Sequence, residues 1–149
     1  MGFHYPLQKI VDLKANERTQ AEWVLAEAFG IVNQLQRSLQ QMERERTRWI
    51  EQINQATQQS TPIAKMQLLY RHLDYLDEQV MRKTEQLTEA TTKVEQNRAM
   101  LGEKMVTEKV WLKAKENAYS VYKYEYERRE QQAVDELVNA RFNYNKKLG

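Results

Sequence analysis

The chain has 149 residues, of which 30% are charged, with four glycines, two prolines and no cysteine, and its formal net charge is +2. Glu, Lys and Arg are interspersed, as in Glu43 to Arg48, which is the pattern of a solvated helix face and excludes the concentrated basic stripe of a nucleic-acid binder. The absence of cysteine removes disulfide and thiolate chemistry and fits a reducing cytoplasm.

The opening, Met1 to Val11, lacks the charged start and apolar core of a signal peptide. Pro6 stands where an N-terminal lipidation pattern needs Ser or Thr. No apolar run approaches the roughly 18 residues of a bilayer span, so no membrane crossing is expected.

Between Leu7 and Gln59 the only helix-disfavouring residue is Gly30, and between Ile63 and Leu148 it is Gly102. Proline costs a helix interior about 3 kcal/mol and glycine about 1, so two uninterrupted helices are predicted, over about 5–58 and about 63–146. The second, at about 1.5 Å per residue, reaches on the order of 120 Å and must pair with something. The nearest partner is the first helix.

Along the first helix a 3-4 spacing joins Leu25, Ala28, Val32, Leu35, Leu39, Met42, Arg46, Trp49, Ile53 and Ala56, with Arg46 alone polar. That is the narrow seam of a coiled coil. The second helix supplies Met66, Leu69, Leu73, Leu76, Val80, Lys83, Leu87, Ala90 and Val94. After Leu101 the apolar stripe runs through Met105, Leu112, Tyr119, Tyr122 and Tyr126, which predicts a four-residue phase shift beside Gly102 and a locally unwound supercoil.

At the hinge, about 59–62, Ser60 or Thr61 is the expected N-cap, with Pro62 in or near the first turn. A connection this short makes the helices antiparallel neighbours. Facing residue numbers then total roughly 122, so everything beyond about Tyr119 outruns its partner. The fold class is therefore all-α: one coiled-coil domain over 1–149, a long antiparallel two-helix hairpin whose C-terminal helix overhangs. The overhang carries Tyr119, Tyr122, Tyr124, Tyr126, Phe142 and Tyr144, which form an interaction surface if exposed.

Chemistry has little to work with. His4 and His72 have no partner at metal-ligand spacing, and no Glu-x-x-His occurs. Four scattered glycines cannot build a phosphate loop. Carboxylate pairs such as Asp77-Glu78 and Asp135-Glu136 lack a dry pocket to shift their pKa. No catalytic, cofactor or metal site is expected.

Three blocks, in order, carry a family resemblance. Phe3-His4-Tyr5-Pro6-Leu7-Gln8-Lys9-Ile10-Val11-Asp12-Leu13-Lys14 resembles the start of the FliJ family, the small coiled-coil component of the flagellar type III export apparatus. Leu69-Tyr70-Arg71-His72-Leu73-Asp74-Tyr75-Leu76 resembles that family's entry into helix two, and Arg128-Arg129-Glu130-Gln131-Gln132-Ala133-Val134-Asp135-Glu136-Leu137 its closing stretch. The resemblance implies a rod similar to the central gamma stalk of rotary ATPases. Its expected partners are the hexameric flagellar export ATPase, the membrane export-gate protein and export chaperones. It implies a non-enzymatic protein in the cytoplasm, peripheral to the inner membrane at the flagellar base.

Two surfaces follow by position. The family's gate-binding surface maps to Ser38, Met42, Glu45 and Trp49 on helix one and to His72, Leu76, Gln79 and Lys83 on helix two. Met42, Trp49, His72 and Leu76 are the candidates kept, although Met42, Trp49 and Leu76 also fall on the seams. The stalk analogy sends the termini into the ATPase ring, with Arg128, Arg129, Glu130, Gln131, Asp135 and Glu136 as polar contacts. Two other readings compete: an envelope-stress coiled coil lying on a membrane surface, and a helical scaffold or chaperone that homodimerises through the C-terminal overhang.

Overall fold

A computed structural model describes residues 2–148. Two helices account for nearly all of them, α1 over Gln8–Gln58 and α2 over Ile63–Leu148, with no strand among the described residues. The chain is an all-α antiparallel helical hairpin. Gly30 and Gly102 both lie inside unbroken helix without positive φ.

Helix α1 starts three residues later than the composition suggested. Proline disfavours helical geometry in the residue before it, so Pro6 holds Tyr5 extended. The Gln8 amide donates to the Tyr5 carbonyl at 3.1 Å, and the Leu7 carbonyl accepts from Ile10 and Val11 at 3.0 and 3.2 Å. At the hinge, neither Ser60 nor Thr61 caps α2. Thr61 reaches backwards: its hydroxyl donates to the Ala56 carbonyl at 2.9 Å, satisfying an orphan acceptor at the end of α1. The Pro62 carbonyl accepts the first α2 bond, from Met66, at 3.1 Å, so proline sits immediately before the helix, where its missing N–H costs nothing.

The contacts fall into two units. The first, Thr19–Glu103, contains the hinge and the helix segments that flank it. The predicted seams are its interior: Ile53, Leu76, Ala90 and Val94 are between 4% and 7% exposed, and Leu35, Leu39, Met42, Trp49, Leu73 and Leu87 are half-buried. Arg46, the polar member of the α1 seam, pairs through Nε with Asp77 on α2.

The second unit joins residues up to Arg18 with those from Lys104 onward. Here the expected phase shift is absent. Sheltered positions on α2 run Leu101, Lys104, Glu108, Trp111, Lys115, Ala118 and Tyr122, which keeps the 3-4 spacing unbroken. Met105 and Leu112, assigned to the seam by their hydrophobicity, are exposed. Long polar side chains lay their aliphatic stems along the seam and pair their charges across it. Arg18 Nε donates to Glu108 at 2.7 Å, and Lys104 meets Glu17 at 3.6 Å. Both pairs lie within the predicted register. Val11 is the most buried side chain here, at 4% exposure.

Among the described residues no helix is long and apolar enough to cross a membrane.

Candidate functional site

The hinge-proximal candidates lie together in the unit Thr19–Glu103, and they are largely interior. Trp49 on α1 and His72 on α2 bring their ring centroids to 4.1 Å, tilted by 49°. Tyr75 follows His72 at 6.0 Å and is itself exposed. The Nε2 atom of His72 is buried without a hydrogen-bond partner. Leu76 is only 5% exposed and supports this layer from within. Met42, Ser38, Gln79 and Lys83 are half-buried, while Glu45 is fully on the surface. Each helix contributes residues 3 or 4 apart, so the partly buried set emerges along the flanks of the seam. What this side offers outward is an edge of Met42, the Trp49–His72 pair and Tyr75.

Further along the same unit an open groove of about 410 Å³ is lined by Val24, Ala28, Ile31 and Leu35 of α1 and by Ala90 and Lys93 of α2. The Arg98 guanidinium lies 5.6 Å from the centroid of the Phe29 ring. No group of three or more His, Asp or Glu able to hold a metal occurs among the described residues.

The tail belongs to the other unit, and it behaves as the register demands. Pairing stops at an aromatic cluster in which the extended N-terminal segment contributes Phe3. That ring meets Tyr119 edge-on at 5.3 Å and Tyr122 at 5.2 Å, and Tyr5 stacks on Phe3 at 6.2 Å. Sequence periodicity could not reveal this contact, because residues 3–5 are not helical. Beyond it every residue from Lys123 to Leu148 is exposed, while the segment remains helical throughout.

All six polar candidates, Arg128, Arg129, Glu130, Gln131, Asp135 and Glu136, stand on this free stretch. Gln131 Nε2 donates to Asp135 at 3.1 Å along the helix. The Tyr126 hydroxyl donates to Glu130, and that bond, reinforced by the carboxylate's charge, raises the phenol above its ordinary 10.0. The large side chains Tyr124, Val134, Leu137, Phe142 and Leu148 are each more than half exposed. Among the described residues, none packs over this apolar surface.

Comparison with known proteins agrees with this anatomy. The family model described as flagellar FliJ protein matches residues 3–147. A solved structure from Chlamydia trachomatis, described as a proposed YscO homologue, superposes with a TM-score of 0.68 over 98% of this chain and 99% of its own, at 19% sequence identity. At that identity the likeness concerns the fold. No curated sequence matches the chain at comparable significance.

Proposed function

The chain belongs to the FliJ family of flagellar proteins, and from that premise we propose that it is a non-enzymatic stalk coupling the flagellar export ATPase to the membrane export gate. Membership makes it a component associated with flagellar protein export. The finer reading is supported by one observation above the others: α2 continues as helix from Lys123 to Leu148 with every residue exposed. An unaccompanied helix is the kind of element that enters a ring.

In this reading the hexameric ATPase receives the tail, with Arg128, Arg129, Glu130, Gln131, Asp135 and Glu136 as contacts. Exposed ion pairs are worth about 0–1 kcal/mol each and are screened by salt, so this engagement is modest and transient. Transience suits a part that slips or turns inside a ring and favours its assembly. The hinge-proximal edge meets the gate protein through Met42, Trp49 and His72, while Leu76 keeps the two helices in place beneath them. Export chaperones are further partners, and the site of action is the cytoplasmic face of the inner membrane at the flagellar base.

The test is ATP hydrolysis and ring assembly by the cognate ATPase, with and without this protein. Stimulation accompanied by a shift toward hexamers is the expected result. An active ATPase whose rate and oligomeric state ignore the added protein contradicts the reading.

A further inference from the structure

The apolar face of the α2 tail carries two charges that its own helix leaves unanswered. Ala133, Val134, Leu137, Val138, Tyr144 and Leu148 fall on one side at helical spacing, opposite Gln132, Glu136, Asn139 and Asn143. Val134, Leu137 and Val138 are 52%, 65% and 58% exposed. Glu130 and Arg141 share that apolar side, the first one turn before Ala133 and the second between Val138 and Tyr144. The residues three and four positions from Arg141 are Leu137, Val138, Tyr144 and Asn145, none of them acidic; those around Glu130 are Tyr126, Glu127, Ala133 and Val134, none of them basic. Glu130 accepts only the Tyr126 hydroxyl, and Arg141 makes no ion pair among the described residues.

We propose that a second copy of this chain covers this face, with the two tails antiparallel. A twofold axis between Asp135 and Glu136 sets Glu130 of each copy against Arg141 of the other. Between those ion pairs Val134 meets Leu137 and Ala133 meets Val138. A parallel, in-register pairing instead opposes Glu130 to Glu130 and Arg141 to Arg141, so the charges select the antiparallel arrangement. Self-pairing occupies the surface that the stalk reading assigns to the ring, and therefore withholds the tail until a ring competes for it. The pairing itself requires no ring.

Sedimentation equilibrium of the full chain, with no ATPase present and across a concentration series at low salt, reads the passage from a 17.8 kDa monomer to a dimer. Glu130→Arg and Arg141→Glu each weaken the dimer about tenfold, and the doubly reversed chain regains the parent dissociation constant. Because the chain lacks cysteine, single cysteines give a second readout. A short bis-maleimide bridges two copies of Val134→Cys, which lies near the axis, but not of Leu148→Cys, which lies far from its counterpart. A chain that stays monomeric, a dimer indifferent to both reversals, or equal bridging at the two positions overturns the proposal. A monomer that still stimulates the ATPase also overturns it, while leaving the stalk reading intact.

Discussion

The Trp49 indole and the His72 imidazole meet across the two helices at 4.1 Å between centroids, and the His72 Nε2 atom in that contact is buried with no hydrogen-bond partner. A buried polar atom without a partner costs stability, and an apolar ring of similar shape removes that cost. His72→Phe is therefore expected to stabilise the chain by about 1 kcal/mol. Trp49→Ala deletes the larger half of the contact and should cost about 2–3 kcal/mol, less than a fully buried tryptophan because Trp49 is half-buried. Urea titration followed by circular dichroism measures both, with opposite signs.

Gly30 and Gly102 sit in helical backbone, and a Cβ built on either meets nothing within 4 Å. Nothing about their conformation needs glycine. Gly30→Ala and Gly102→Ala should each add about 0.5–1 kcal/mol through lower unfolded-state entropy and better helix propensity. Thermal melts of the single variants and the pair, expected to be additive, check this.

Arg18 and Glu108 form an ion pair between α1 and α2 in the second unit. Their side chains are 29% and 17% exposed, so water screens the pair only partly. A double-mutant cycle with Arg18→Gln and Glu108→Gln should give a coupling of about 1 kcal/mol that shrinks in high salt. Hydrogen exchange should quicken in residues 8–18 and 104–118 of either single variant and stay unchanged around the hinge.

Tyr126 titrates above the ordinary tyrosine value because ionising it breaks its hydrogen bond to Glu130 and places two negative groups side by side. With a folded value raised over the unfolded one, the interaction supports the helix fully below the unfolded pKa and is lost as pH rises through the folded pKa. Glu130→Gln should lower the Tyr126 titration toward 10.0, as followed by NMR of the phenol carbon.

Much of this was legible in the residues themselves. Pro62 marks the hinge because proline cannot continue a helix, and Leu25 to Ala56 mark the α1 seam because apolar residues recur at the coiled-coil spacing. The free tail follows from the register once the hinge is placed. The α2 seam beyond Leu101 misled for a physical reason. Its true members include Lys104, Glu108 and Lys115, whose stems are sheltered while their heads find water or partners. A count of apolar residues drifts to Met105 and Leu112 instead. The Phe3 contact with Tyr119 and Tyr122 has no periodic signal, since it joins an extended segment to a helix more than a hundred residues away. Of the gate candidates, Met42, Trp49 and Leu76 were readable as seam residues. The unpartnered nitrogen of His72 was not, because it depends on what Trp49 covers.

The central claim, that the tail beyond Tyr122 has no mate within its own chain and is taken up by the export ATPase, is tested most directly by hydrogen exchange on the full chain. The measurement is made at high dilution, alone and with the assembled ATPase. Amides from Lys123 to Leu148 should exchange quickly alone, while those of the hinge unit stay protected, and should slow at least tenfold when the ring is added. A tail already protected in the dilute chain, or one whose exchange is unchanged by a saturating ring, contradicts the account.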